Sequence, residues 1–572
     1  MADIKISALP QASALDGSEM IPATQGGTNP VKVLVSQIST KIQADISVQT
    51  FTAAALTNPY SSSISPHRVG DIALNLTSLE IWQAVSATAA TTSWNRISGG
   101  YYGGSILTDL NSPVSSGFYT ALGTALNVPD SQYSWFVNHV NSNTDNISAY
   151  QRAVAYSNTI IVYERTKINS VWGAWISLAS QIQENVLSCG VQFNFDSPAT
   201  ALTRIGNDNI KNEIFSTCIR PVTLNDAGVV TQELATNINY KTNGQASDLT
   251  GASGQCMVGI KKLYIKRTTD GQNRLTKLQF SLVPLPGFTL HEKFTWGSGR
   301  DEIFVGMFDA SSDGAKMQSI VGGSIYANTT LATARAQAVA RGAGWHTYDF
   351  YTQDLIQSLW YLYFAELNSQ VSLPGYTGLT TYADSYRRTT GRSKILSTIN
   401  GSIPADPSID SDIYNLTWND SNKIISNRFI WIENMFGHVW KMIDGCSIDG
   451  RVSGNKHMFA TPNPSLFSSD QATILSTYTD LGITLASSSN EGYMGSIGFF
   501  LNPITLGGSS STYVTDYYLG YLNDSSKDYV RLLFAGGNLN NSAKAGVAYR
   551  NSNNDLAFAY SAIGFRLCFE KN

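Results

Sequence analysis

Charge is scarce in this sequence. Asp, Glu, Lys and Arg make up 14% of its 572 residues, where about 25% is typical. The 38 Lys and Arg nearly cancel the 42 Asp and Glu, leaving a formal charge of -4, so no basic excess is available to neutralise a run of phosphates. Nucleic acid and anionic membrane are thereby set aside as primary partners. The five cysteines, Cys189, Cys218, Cys256, Cys446 and Cys568, contain no CxxC pair. They indicate neither a zinc ribbon nor a disulfide framework and read as buried small hydrophobes. MADIKISALPQASAL lacks the apolar core of a secretory signal, and the longest apolar stretch, around 355–367, is broken by Gln357, Ser358 and Glu366. The expectation is a soluble chain made in a cytosol, without membrane insertion. From residue 187 onwards nothing recurs with a period of about 20 to 50 residues, which disfavours a solenoid or β-helix.

What is present is glycine and aromatic surface: 47 Gly, 28 Tyr, 23 Phe and 11 Trp. That is not the make-up of a disordered protein, and at roughly 150 residues per domain the chain is long enough for about four domains. Residues 1–45 offer an extended piece at Ile4-Lys5-Ile6-Ser7, turns at 14–19 and at Gly26-Gly27, a strand at 31–35, and Ser36 placed to cap a short helix through Ile42. So small a unit cannot bury a core alone and must dock on its own copies or on a larger structure. After a Ser/Thr/Ala-rich connector at 46–66, the alternating segments 69–74, 80–85 and 94–97 predict a small sheet whose core is Trp82 and Trp94. Alternating strands separated by Asn, Ser and Pro turns make 101–180 a small β-rich knob, with Trp172 and Trp175 packing its last hairpin.

Beyond 187, short strands at 257–265, 278–283 and 303–307 dominate, and two stretches read as helices, 331–341 and 352–368. In the second, Leu355, Leu359, Leu362, Tyr363 and Glu366 recur at spacings of three and four, with Asp354 near the N-terminus to favour the dipole. The fold class is multidomain and mostly β, with an α+β C-terminal domain.

Three blocks carry resemblances. KISALPQASALDGSEMIPATQGGTNPVKVLVSQI is similar to the N-terminal segment of phage tail-fibre and receptor-binding proteins, which implies that residues 1–45 attach to the virion. The ordered fragments Gly117-Phe118-Tyr119, Asn127-Val128-Pro129, Trp135, Gln151-Arg152-Ala153, Tyr163-Glu164-Arg165 and Trp172-Gly173-Ala174-Trp175 resemble the knob of pyocin fibres and phage tail fibres over 101–180. The module at 46–100 has the cadence of small linker or carbohydrate-binding units on such fibres. In the last part, Trp431 to Lys441 with Asp444-Gly445, Phe534-Ala535-Gly536-Gly537 and the ending Ile563-Gly564-Phe565-Arg566-Leu567 resemble the C-type-lectin-like fold in its formylglycine-generating and tropism-determinant branch, over 187–572. The resemblance implies small β modules followed by a C-type-lectin-like domain. Oxygenase members of that branch need a closely spaced cysteine pair, whereas Cys446 and Cys568 are far apart, so their activity is not carried over. Gly437 and Gly445 are assigned to turns, Trp440 to the core and Arg566 to hydrogen bonds with buried carbonyls.

His346, His438 and His457 have no metal-ligand spacing and read as isolated hydrogen-bonded histidines. Glu433, Asp444 and Asp449 are the carboxylates a glycosidase would need, but no spacing pairs them. No G-x-S-x-G or phosphate loop is present, and the segment 406–412 reads as a solvated loop rather than a calcium site. No catalytic residue, cofactor or metal is assigned. Binding remains. Asn538, Asn540, Asn541, Ser542, Tyr549, Asn551, Asn553, Asn554 and Tyr560 crowd the segment before the last strand, where amides match vicinal sugar hydroxyls and aromatic faces suit sugar CH surfaces. In tropism-determinant relatives that segment contacts the receptor, so these positions are the expected receptor surface. The expectation is therefore a non-enzymatic, homotrimeric virion fibre assembled in the host cytoplasm, bound to tail or collar proteins through 1–45 and to a bacterial surface glycan or protein through its C-terminal domain. A structural collar or capsid fibre, and a capsule depolymerase, are the alternatives.

Overall fold

A computed structural model supplies the three-dimensional structure. It describes the backbone strands 20–24, 30–34, 48–51, 72–75, 81–84 and 94–98, and residues 107–570 except 112–116, 142–148, 156–160, 178–183, 298, 407, 409, 411–414, 452–455, 485–490 and 521–524. The extended piece at 4–7, the helix at 36–42 and the side chains of Trp82 and Trp94 lie outside the described residues. The chain forms two compact units, Met1–Gln181 and Ile182–Asn572, and strands dominate both.

In the first unit, Met20–Thr24 pairs antiparallel with Pro30–Leu34, and the turn expected at Gly26-Gly27 lies outside the described residues. Val48–Phe51, Ile72–Asn75, Ile81–Ala84 and Trp94–Ser98 form a four-stranded sheet in that order, its first pair parallel. The knob region is a seven-stranded sheet running Val171–Trp172, Val162–Ile168, Ala149–Ala155, Trp135–Asn141, Gly117–Leu126, Leu107–Asp109, with Ile176–Ser177 also paired to Val162–Ile168. Successive side chains of a strand point to opposite faces, and Ala149–Ala155 alternates buried and half-buried accordingly. The covered face gathers Leu110, Ala121, Trp135, Val137 and Ala153.

That face also takes in Arg165, whose Nε donates to Gln151 Oε1 at 2.8 Å and whose Nη2 donates to the Leu110 carbonyl at 2.8 Å. Its guanidinium lies 4.4 Å from the Trp172 ring and 4.3 Å from the Trp175 ring. The two tryptophans thus close the last hairpin by holding one cation between them. Trp175 fastens the hairpin further by donating from Nε1 to the Asn127 carbonyl.

The second unit is built on three large sheets. Leu275–Ser281 centres a five-stranded one, with Ser188–Gln192 beside it. The six-stranded sheet runs Val230–Glu233, Ile219–Leu224, Gln255–Lys261, Glu302–Gly306, Leu567–Glu570, Trp345–Thr347. Its closing strand comes from the end of the sequence and inserts between two strands more than two hundred positions earlier. The nine-stranded sheet is organised on Trp440–Asp449, flanked by His457–Ala460 and Val530–Ala535 and buried at every position.

Helices are few. The sequence-read helix at 331–341 is present as Leu331–Val339, capped by Thr330. Asp208–Thr217 and Gln471–Thr477 are helices that the hydrophobic pattern did not reveal, each opened by an Asx cap, Asn207 and Asp470. The helix expected at 352–368 runs Phe350–Phe364 instead. Asp349 caps it, accepting from Thr352 N at 3.0 Å, and Ala365 ends it in the left-handed region at φ 53. Nor is it amphipathic: every residue from Phe350 to Leu362 is buried. Trp360 packs 4.9 Å from Phe429 on one side, and Tyr361 meets Phe193 at 5.8 Å. Asp354 sits past the first turn, where it pairs with Arg267 and accepts from His291 Nε2 at 3.1 Å, so its role is a buried ion pair rather than dipole compensation. Likewise the strand read at 257–265 is two strands, Gln255–Lys261 and Tyr264–Thr269.

Candidate functional site

The block from Trp431 to Gly445 and the ending at Phe565 converge on one buried carboxylate, Asp309. Arg566 Nη2 donates to its Oδ1 at 3.0 Å, Lys441 Nζ lies 3.2 Å from Oδ1, and His438 Nδ1 and Asn434 Nδ2 reach Oδ2 at 2.9 and 3.1 Å. Burial alone would raise the Asp309 carboxyl, but Lys441, the His438 hydrogen bond and Arg566 outweigh it and hold it well below the usual carboxylate range. Arg566 also donates to the carbonyls of Gly306 and Glu433, which meets the sequence reading and adds an ion pair to it. Gly437 takes φ 75, and a Cβ there would fall 2.6 Å from the Tyr376 carbonyl, so the block's central turn requires glycine.

The remaining carboxylates of the block are committed to the fold as well. Glu433 accepts from the backbone N–H of Gly391 and Ser393 at 2.9 and 2.6 Å, and burial pushes its pKa up to about 6. Asp444 takes a two-pronged Arg335 at 2.8 and 2.9 Å and the Thr347 hydroxyl at 2.5 Å. Asp449 binds Arg451. In the 406–412 segment, Asp406 accepts from Ser408, and Asp410 lies 3.0 Å from Arg388.

Among the described residues, two groups bring metal-ligand side chains together, His346 with Asp349 and Cys568, and His291 with Glu292 and Asp354. The sequence reading took no account of His291, and the fold joins His346 to partners far along the chain. Each group already holds a cation of the protein. Lys293 Nζ is 2.6 Å from Asp349 and pairs with Glu570 beside His346, while Arg267 pairs with both Glu292 and Asp354. A buried ammonium or guanidinium neutralises the carboxylates a metal would need, so neither donor set fits an ion. His457 binds Asp480 at 2.8 Å. All five cysteines are free and buried, and burial pushes the Cys446 and Cys568 thiols far up, against the activation a reactive cysteine requires.

The expected receptor residues divide. Tyr549 is 3% exposed, its ring 4.4 Å from Trp440 and 5.9 Å from Tyr517, so it belongs to the core. Asn538 and Asn551 are buried too. Their amides serve the local backbone: Asn538 Oδ1 accepts from Asn540 N, and Asn551 Oδ1 accepts from Asn553 N. Asn541 Oδ1 accepts from Asn538 N at 2.7 Å. Asn538 and Asn551 make Asx turns and Asn541 closes the loop back on Asn538, which explains why asparagine is frequent here without any ligand. Asn540, Asn541, Ser542, Asn553 and Asn554 are half-buried, and Tyr560 is 52% exposed.

Tyr560 does not stand alone. Its ring centroid lies 6.3 Å from Tyr382 and 6.4 Å from Phe558, each tilted by 33°, and Phe558 rests on buried Phe534 at 6.1 Å. The row is held from beneath by Ser561, whose carbonyl accepts from Tyr382 Oη at 2.7 Å and from Arg387 Nη1 at 3.0 Å. Burial pushes the Tyr382 hydroxyl up to about 12 against the opposing pull of Arg387 and Ser561, so it stays a neutral donor. Tyr382 and Arg387 were missed in the sequence because nothing local marks them; the contact spans 179 positions. Aromatic rings fixed in a row with polar groups at the margin can stack on the CH face of a sugar while bonding its hydroxyls.

No protein-family model matches the chain, and no curated protein sequence matches it. Two solved structures, titled Major Tropism Determinant P3c Variant and Major Tropism Determinant U1 Variant, align with 92% of this chain and 99% of their own at 9% identity, with TM-scores of 0.21 and 0.22. Values this low leave fold family and function to be argued from the chain itself.

Proposed function

We propose that the protein is a bacteriophage fibre component that binds a bacterial surface glycan through its C-terminal unit, on a ring row of exposed Tyr560 with half-buried Tyr382 and Phe558. The observation that carries the reading is this row: a half-exposed tyrosine buttressed by two further rings and a shared backbone anchor. Half-exposed aromatics lose little entropy on binding and provide large contact area. The sequence resemblances at 1–45, 101–180 and 187–572 support the virion setting, with residues 1–45 as the attachment segment, 46–100 and 101–180 as small β modules, and 187–572 as a C-type-lectin-like domain. Homotrimeric display would raise a weak single-site affinity by avidity. The engagement of Glu433, Asp444 and Asp449 in structural hydrogen bonds favours binding over glycan cleavage.

The test is attachment of the purified full-length chain to host cells, comparing wild type with Tyr560→Ala. A drop in cell binding of tenfold or more at unchanged melting temperature is expected. Equal binding by the two proteins would remove the ring row from the receptor site.

A further inference from the structure

A second concavity in the C-terminal unit shares no residue with the ring row. The turn at 225–226, the loop 251–255, the hairpin of Ser311–Ser312 with Met317–Gln318, and Arg341 just beyond the helix Leu331–Val339 wall a cleft of about 640 Å³. That lies within the range of about 300–1,000 Å³ common for small-molecule sites.

Its walls are polar and its charges balance. Asp226 and Asp313 face Lys316 and Arg341. Lys316 Nζ donates to Asp226 Oδ2 at 2.7 Å, and Arg341 Nη1 donates to the other oxygen. Asp313 is fixed by the backbone N–H of Ala315 and Lys316 at 2.9 and 2.7 Å. Arg341 is anchored a second time, on the Met317 carbonyl. The polar heads are therefore pre-positioned by the fold. One side of the cleft is Gly251, Ala252, Ser253 and Gly254, which present backbone and small groups only. Gly254 adopts φ 118, and a Cβ there would meet the Leu224 carbonyl at 2.3 Å, so this wall can close only with glycine at that position.

The chemistry selects a class of ligand. Asp226 and Asp313 together balance the charges of Lys316 and Arg341, which leaves little for an anion. Both of its oxygens are occupied by Lys316 and Arg341, which leaves little for a metal cation. Carboxylate, amide and guanidinium groups on planar side chains, fixed in a neutral cleft, match paired vicinal hydroxyls, which donate and accept at once. We propose that the cleft binds a short neutral saccharide, at a site separate from the ring row. The inference does not depend on the receptor reading, since it concerns a different surface.

The experiment is titration calorimetry of the full-length chain with maltotriose, mannotriose and chitotriose, with sodium phosphate and calcium chloride as charged probes. Saturable binding of at least one trisaccharide is expected, weakened tenfold or more both by Ala252→Trp, which fills the cleft from its exposed rim, and by Gln318→Leu, which removes an amide. Melting temperature is read for each variant. Should either fail to fold, protection from hydrogen exchange at 251–255 and 313–318 in the wild-type chain on adding the trisaccharide takes its place. The proposal is overturned if none of the three saccharides binds, if only phosphate or calcium binds, or if binding survives both cleft substitutions. Loss of trisaccharide binding in Tyr560→Ala with retention in the cleft variants would also overturn it and move the site to the ring row.

Discussion

Asp309 and Arg566, 257 positions apart in the chain, meet at 3.0 Å with both side chains 1% exposed. The contact ties the last strand to the loop that follows Glu302–Gly306, and Asn434, His438 and Lys441 complete the shell on the other side. An acid surrounded by four nitrogen-bearing side chains in a dry core is costly to assemble and more costly to leave half-made.

Asp309→Ala is therefore expected to unfold the C-terminal unit or destabilise it by about 3–5 kcal/mol, the magnitude seen when one partner of a buried pair is removed. The native carboxyl is depressed below its unfolded value, so its stabilisation is full above the unfolded pKa near 4 and is lost as pH falls below it. Thermal melts of wild type between pH 4 and pH 2 should show a steep fall, and a flat profile there would count against the network.

Asp516 has the opposite sign. It is buried, accepts from Ala548 N at 2.8 Å and the Ser369 hydroxyl at 2.9 Å, and lies so close to Gly546 that a Cβ there would fall 2.0 Å from Oδ1. Burial pushes its pKa up to about 7, so the folded state binds a proton that the unfolded state releases, and stability declines as pH rises from about 4 to 7. Asp516→Asn should raise the melting temperature at pH 8 by several degrees and have little effect at pH 4. An equal shift at both pH values would show that the carboxyl is not protonated in the fold.

Tyr549 and Tyr560 separate stability from binding. Tyr549→Ala empties a space against Trp440 and Tyr517 and should cost about 3–5 kcal/mol. Tyr560→Ala removes a half-exposed ring and should change stability by far less, while reducing cell attachment. Chemical denaturation of the two variants checks the contrast, which fails if their midpoints coincide.

In the first unit, Arg165→Lys keeps the charge but loses the planar fork that reaches Gln151 and Leu110 while stacking between Trp172 and Trp175. The two side chains are not interchangeable at such a site. The unit's unfolding midpoint, followed by tryptophan fluorescence, should drop by an amount equivalent to about 1–3 kcal/mol. An unchanged midpoint would mean the stacked arrangement contributes nothing.

Removal of residues 1–45 is expected to leave the seven-stranded sheet and the C-terminal unit folded while stopping incorporation into particles. Circular dichroism and particle copy number test the two halves of that statement, and normal copy number of the truncated chain would overturn the assigned polarity. Sedimentation of the full-length protein as a monomer at micromolar concentration would overturn the trimer.

Local features were legible in the residues themselves. Alternation marked the strands Ile72–Asn75 and Ile81–Ala84, the stretch 331–341 read as the helix found at Leu331–Val339, and the absence of pairing motifs marked the cysteines as buried. These depend on contacts within a few positions, where the two-residue repeat of a strand and the turn preferences of Asn and Gly act directly. The tertiary structure decided burial. An apolar run with Asp354, Gln353 and Gln357 reads as one-sided, yet chain segments distant in sequence cover every face of Phe350–Phe364 and provide Arg267 and His291 for Asp354. Asn- and Tyr-rich loops look alike whether they bind a ligand or bond to themselves, and only the packing of Trp440 on Tyr549 and of Tyr382 beside Tyr560 tells the two apart. Which side of a residue stays wet is set by chain hundreds of positions away, and no local pattern encodes it.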